Sequence, residues 1–190
     1  MKKDIRTRLS AKSKKDRFAH SQSASYMVEM VVVPFVLLFA LALPIMDLVT
    51  TTTRVTFLFA IARDAAFYAA KAKSFNIDIS AKEQSAKNIA SRIANMEAAG
   101  FTGIIIDSIE TSILTTDINT KQTTSQKVQL AAAPNSDQYI YQIEVTLTGR
   151  VRPLLLFSNK FFGSIPGLSE WISVTVRSKE YCEYPQGLVL

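Results

Sequence analysis

Tyr26-Met27-Val28-Glu29-Met30-Val31-Val32-Val33-Pro34-Phe35-Val36-Leu37-Leu38-Phe39-Ala40-Leu41-Ala42-Leu43-Pro44-Ile45-Met46-Asp47-Leu48-Val49 is the stretch whose reading decides the fold. Between Glu29 and Asp47 lie seventeen uncharged, almost wholly apolar residues. At ~1.5 Å per residue, a helix of that length is about the minimum for a bilayer core of ~30 Å. The stretch therefore reads as a transmembrane helix with a carboxylate at each end. Glu29 is the unusual acid of the two, because an ionisable group just inside an apolar helix is costly and is taken as functional by default. Pro34 and Pro44 each remove a backbone donor and free the carbonyls of Met30 and Ala40, so each predicts a kink or a loosened turn. Packed neighbours would satisfy those carbonyls, which favours a span lying against other helices. Proline is also simply commoner in membrane helices than in soluble ones, and the two readings stand level.

On the N-terminal side, Lys2, Lys3, Arg6, Arg8, Lys12, Lys14, Lys15 and Arg17 are opposed only by Asp4 and Asp16. The formal charge of +6 is thus concentrated in the first twenty residues of a 190-residue chain, and the remainder is balanced. The positive-inside rule keeps such a flank in the cytoplasm and sends the C-terminal body across the membrane. A basic tail could also touch nucleic acid, but an apolar span directly behind it makes topology the better explanation, and no nucleic-acid partner is expected. Residues 1–24 lack apolar periodicity and read as a disordered cytoplasmic leader. The apolar run exceeds the about 7 to 15 residues of a signal-peptide core, and no small-x-small site follows it promptly. Retention of the span in the mature protein is therefore expected.

Beyond the span, Thr50 to Thr53 suit a membrane interface. Leu58, Ile61, Ala62, Ala65, Tyr68, Ala69 and Ala72 then recur at helical spacing as an apolar stripe. One helix is predicted from about Ser25 to about Lys73, half in the membrane and half under a soluble domain, and Phe75-Asn76-Ile77-Asp78 breaks it. Ser80-Ala81-Lys82-Glu83 matches the capping box and predicts the start of a second helix. That helix has Ala86, Ile89, Ala90, Ile93 and Met96 on its apolar face, and Gly100 ends it. After Gly103 the texture becomes β, with a first strand over Ile104 to Ile113. The polar stretch Thr116 to Gln126 reads as a loop, and Val128 and Leu130 as a short second strand. Tyr141, Ile143, Val145 and Leu147 alternate with polar neighbours in the third. Ile172, Val174 and Val176 alternate with Trp171, Ser173, Thr175 and Arg177 in the last.

The expected fold class is α+β. A long N-terminal transmembrane helix (25–49) continues into a small extracytoplasmic domain (50–190) with a second helix and an antiparallel sheet of about four strands, whose apolar face the helices cover. Between the last two strands, Arg150-Val151-Arg152-Pro153-Leu154-Leu155-Leu156-Phe157 and Phe161-Phe162-Gly163-Ser164-Ile165-Pro166-Gly167-Leu168 form an apolar loop. It either folds back over the core or presents a contact surface to a partner or a membrane.

No phosphate-binding loop, metalloprotease motif, nucleophile elbow or paired cysteines occur. Asp107, Glu110 and Asp117 read as solvated surface. The sole cysteine, Cys182, cannot close an internal disulfide. It reads as a shielded thiol, with an intermolecular bridge as the alternative. The sole histidine, His20, lies in the leader. No catalytic residue, cofactor or metal is expected, and a structural or interaction role is favoured over an anchored envelope enzyme. The informative constellation is the junction itself. A protease at the cytoplasmic face could cut between Ala24 and Ser25, leaving a new α-amine about one helical turn ahead of Glu29. In a bundle of such helices, a neighbouring chain's terminal ammonium would stabilise Glu29, because paired charges offset the desolvation each suffers alone. In an uncut anchor, Glu29 would instead snorkel at the headgroup level. The residues alone leave both open.

Three places resemble the TadE/TadF-like family, the minor pseudopilins of the tight-adherence (Flp) pilus system. Ser25-Tyr26-Met27-Val28-Glu29-Met30 and the apolar helix behind it resemble the family's small-residue, Val-Glu-Phe, apolar junction. Ala62-Arg63-Asp64-Ala65-Ala66-Phe67-Tyr68-Ala69-Ala70 is similar to its alanine-rich helix. Gln142-Ile143-Glu144-Val145-Thr146-Leu147, Val151-Arg152-Pro153-Leu154-Leu155 and Ile172-Ser173-Val174-Thr175-Val176-Arg177-Ser178-Lys179-Glu180 resemble its C-terminal strand, apolar loop and closing strand. The resemblance implies a pilin-like bacterial inner-membrane protein, single-pass, cytoplasmic at its N-terminus and periplasmic or extracellular at its C-terminal domain. It implies a membrane prepilin peptidase cutting between Ala24 and Ser25, and partners among other pilins, pseudopilins and inner-membrane pilus-assembly proteins. Glu29 becomes the acid that registers helix packing during assembly. Ala24 stands where the family usually has Gly, and Met30 where it usually has an aromatic residue. The alternative is an uncleaved single-pass scaffold that binds other components of an envelope export machine.

Overall fold

The structure, a computed structural model, describes residues 3–80, 83–155 and 170–189, the side chains of residues 3–28 excepted. Two compact units make up the chain, Met1–Met46 and Asp47–Leu190. Helix α1 spans Lys3–Ala70 and runs unbroken through Pro34 and Pro44. In the first unit its described side chains from Glu29 on are mostly exposed and, after Glu29, almost all apolar. In the second unit the character reverses, and Leu58, Ile61, Ala62, Ala65, Ala66 and Ala69 are buried. Alanine at so many of these positions suits a helix that must approach a sheet closely while keeping high helical propensity.

The second unit is α+β. Helix α2 (Ala86–Ala98) follows α1. Strands β1 (Ile104–Asp117), β2 (Thr123–Gln126), β3 (Tyr139–Val151) and β4 (Ile172–Tyr181) form an antiparallel sheet in the order β2-β1-β3-β4, and a short 3-10 turn (Pro185–Val189) follows. On β3, Tyr141, Ile143, Val145 and Leu147 are buried while the residues between them are half-exposed, as period-two patterning requires of a sheet with one covered face. Ile143 sits opposite Ile113 of β1, and Leu147 opposite Val176 of β4. These side chains share one core with Leu58, Ile61 and the alanines of α1 and with Ala90, Ile93 and Ala94 of α2. Gly149 is required by that closeness, since a Cβ there would lie 2.8 Å from the Ile105 carbonyl oxygen and 3.3 Å from Leu58 Cδ2.

Several expectations are corrected. The helix begins at Lys3 rather than near Ser25. The leader lacks proline and glycine, and its Lys, Arg and Ala residues propagate a helix cheaply once a neighbouring segment has nucleated it. Helix α2 starts at Ala86, capped by Ser85, whose hydroxyl accepts from Asn88 N. The Ser80 hydroxyl does accept from Glu83 N, but it closes a turn in the connection instead. Met96 and Tyr68 are exposed, and Ala94 and Ala66 take the buried positions. Strand β2 lies inside the stretch read as a loop, while Val128 and Leu130 fall outside any strand. Asp117 explains the difference: its Oδ1 accepts from Asn119 N and Thr120 N at 2.8 and 2.9 Å, turning the chain back so that Thr116 pairs with Thr123. Of the apolar loop between β3 and β4, residues 156–169 lie outside the described residues.

Candidate functional site

The apolar part of α1 carries its hydrophobic side chains outward on every face. Met30 is 81% exposed, and Val31, Phe35, Val36, Leu37, Leu38 and Leu41 all exceed half exposure. A helix apolar all round is normally buried in protein or lipid, and the side chains from Met30 to Leu41 are all exposed. Glu29–Ala70 is long and apolar enough to cross a membrane, the one such helix among the described residues. Glu29 and Met30 are both exposed at the start of this surface. Ala24 and Ser25 fall within the α1 backbone, and their side chains lie outside the described residues.

At the other end of the apolar run the chain builds something the sequence reading did not anticipate. Asp47 is 1% exposed. Its Oδ1 accepts from Leu154 N at 2.5 Å and from Leu155 N at 3.3 Å. One turn further along α1, Thr51 is also buried, and among the described residues neither its hydroxyl nor Asp47 Oδ2 has a hydrogen-bond partner. Another turn on, the Arg54 guanidinium donates to the Arg152 carbonyl, while Arg152 N donates to the Gly103 carbonyl at 2.8 Å. Two side chains of α1 thus hold three backbone groups of the segment after β3, with Pro153 fully buried beside them. A signal for this existed: Asp47, Thr51 and Arg54 extend the Leu58, Ile61 and Ala65 stripe backward at helical spacing. The acid therefore sits on the core side of the helix rather than at a solvated end.

Elsewhere, several described polar side chains hold turns and strands in place. The Asp78 carboxylate accepts from Ser85 N at 2.6 Å and Asn88 Nδ2 at 2.7 Å at the start of α2, and these bonds hold its pKa below the usual carboxylate range. Asp107, at the register shift of β1, receives a two-pronged contact from the Arg150 guanidinium. Cys182 packs against the core, and burial pushes its thiol pKa up, which disfavours the reactive thiolate. A cavity of about 610 Å³ at the β1–β2 end is lined by polar side chains such as Thr115, Gln122 and Gln126 together with Leu130, Ala131 and Tyr141. Its one carboxylate, Asp117, is already engaged in the turn. Among the described residues no three His, Cys, Asp or Glu side chains gather to hold a metal ion. Comparison with protein-family models, with curated proteins and with solved structures finds no match for the chain.

Proposed function

We propose that the chain is a single-pass protein of a bacterial inner membrane that acts as a pseudopilin-like structural component in assembly of a Tad/Flp-type pilus or its associated secretion apparatus. The leader stays in the cytoplasm and the α+β domain is exported. The observation that carries this reading is the uncovered apolar surface of α1 between Met30 and Val49, in a helix that goes on to supply core residues to a small domain. Lipid solvates the first part, and neighbouring subunits or assembly proteins dock against the helix. Glu29, exposed at the head of that surface, is the natural place for a charge that registers one chain against the next. The chain works by packing rather than by turnover, so its partners are a membrane, other pilins or pseudopilins, and a prepilin peptidase that cuts between Ala24 and Ser25.

An uncleaved scaffold is the second reading, and the continuity of α1 across Ala24 and Ser25 favours it, because a helical backbone is not an extended substrate. Intact mass of the membrane-extracted protein separates the two. Loss of the first 24 residues is the expected result for a pseudopilin, and a full-length mass overturns processing in favour of the scaffold. A Glu29→Ala chain is expected to be processed but to fail in assembly. Unimpaired assembly would remove Glu29 from the mechanism.

A further inference from the structure

We infer that the turn Pro153-Leu154-Leu155 is a second, peripheral membrane contact, seated in the lipid headgroup layer and held there by Asp47. The inference rests on the membrane-spanning reading of α1 and adds a contact that this reading does not contain. Asp47 lies in the last turn of the apolar run. Leu48 after it is 67% exposed and apolar, and the run then gives way to Thr50-Thr51-Thr52-Thr53. That change from leucine and valine to hydroxyls marks the level at which hydrocarbon gives way to the polar layer. Two backbone N–H groups bound to Asp47 Oδ1 place Leu154 and Leu155 within a side chain's length of that level.

The exposure pattern on the turn fits a lipid occupant. Pro153 is buried, while Leu154 and Leu155 are 47% and 37% exposed. Adjacent leucines turned into water forfeit apolar burial, whereas at the boundary of headgroups and acyl chains they recover it. Arg152, exposed next to them, supplies the cation that an anionic headgroup attracts. The Oδ1 of Asp47 is explained by the same arrangement. A carboxylate at this depth is costly unless hydrogen-bonded, and the two N–H donors it receives are those of the residues it positions. Leu48 and Val49, next to Asp47 on α1, are exposed and apolar as well, so the lipid that solvates the helix is the occupant nearest at hand.

The test uses the full chain with Cys182→Ser, reconstituted in vesicles of phosphatidylethanolamine and phosphatidylglycerol. A nitroxide is attached in turn at Leu155→Cys, at Val36→Cys within the span, and at Val128→Cys on the exposed surface of the domain. Collision rates are read with oxygen, which partitions into lipid, and with a neutral nickel chelate, which stays in water. At position 155, nickel accessibility at least about twofold below that at 128, with oxygen accessibility above it, is the expected result for an interfacial depth. If position 36 is lipid-solvated and 155 is as open to nickel as 128, the turn faces water and the inference is wrong while the span stands. If 155 is shielded from both reagents, protein covers it and the lipid contact is overturned. If 36 is itself open to nickel, the membrane-spanning reading fails and takes the inference with it. Asp47→Ala is expected to raise nickel accessibility at 155 toward that of 128, and Asp47→Asn, which keeps one acceptor oxygen, to raise it less. No change in either variant removes Asp47 as the group that holds the turn.

Discussion

Asp78 and Glu97 stand near opposite ends of α2, and their surroundings push them in opposite directions. The backbone N–H of Ser85 and the Asn88 amide favour the charged form of Asp78, so its pKa lies below the ordinary 3.8. The unfolded chain therefore binds more protons than the folded one as the carboxylate titrates. Stability from this contact is present above the unfolded value and is lost as pH falls through the folded one. Glu97 is in the last turn, where a helix terminus is unfavourable to an acid. Burial raises its pKa above the ordinary 4.5, and Asp64 raises it further. Here the folded chain holds its proton longer, so stability falls as pH rises through the window above 4.5. Asp78→Asn is expected to lower the unfolding temperature at about pH 7, with the deficit closing toward about pH 3. Glu97→Gln is expected to stabilise at neutral pH by about a few tenths of a kcal/mol once solvent screening is allowed for, with the gain vanishing in acid. Thermal unfolding of the detergent-solubilised chain across that range checks both signs.

The elements differ in how plainly the sequence announces them. Strands β3 and β4 and the buried stripe of α1 are legible because water enforces their periods, one side chain in two or in 3.6. Strand β2 was illegible for the converse reason. Thr123, Thr124 and Ser125 are exposed, so no apolar period exists to read, and the pairing follows from the hydrogen bonds Asp117 makes in the preceding turn. Ser80 and Ser85 are equally good caps by composition. The choice between them is made by Ala86, which is buried and donates its N–H to the Ser74 carbonyl at 2.9 Å, so tertiary packing decides where α2 starts. At the candidate site, the exposed apolar helix was legible from composition alone, whereas the role of Asp47 was not, because its partners lie more than a hundred residues away. The C-terminal 3-10 turn was missed for the same reason. A Cβ at Gly187 would lie 1.9 Å from the Lys73 carbonyl oxygen, and Phe75 N donates to the Gly187 carbonyl at 3.2 Å. Gly187→Ala must displace that backbone contact, and a loss of about 1 to 3 kcal/mol or more is expected in chemical denaturation. A variant as stable as the parent would show that the turn is not seated on the connection after α1.

For the whole molecule, the two units answer to different solvents. The core of the Asp47–Leu190 unit is assembled from alanines, isoleucines and valines that leave water together. The apolar side chains from Met30 to Leu41 in the first unit are all exposed, and lipid is a medium that would suit them. An apolar run at about the minimum spanning length leaves little reserve against a charge at its middle. Leu38 lies near that middle and is 62% exposed, well outside the buried core. Arginine there replaces a residue that contributes about −0.3 to −0.6 kcal/mol to insertion with one that costs about 2.5 to 3.5 kcal/mol. The difference corresponds to roughly two to three orders of magnitude in the insertion equilibrium. Leu38→Arg is therefore expected to move most of the chain out of the alkali-resistant membrane fraction. Val128→Arg, on an exposed part of the domain, should leave that fraction unchanged. Because the substitution at 38 disturbs no core contact, folding of the domain is not its mechanism of action. A Leu38→Arg chain that stays fully membrane-bound would mean that some surface other than this helix does the anchoring.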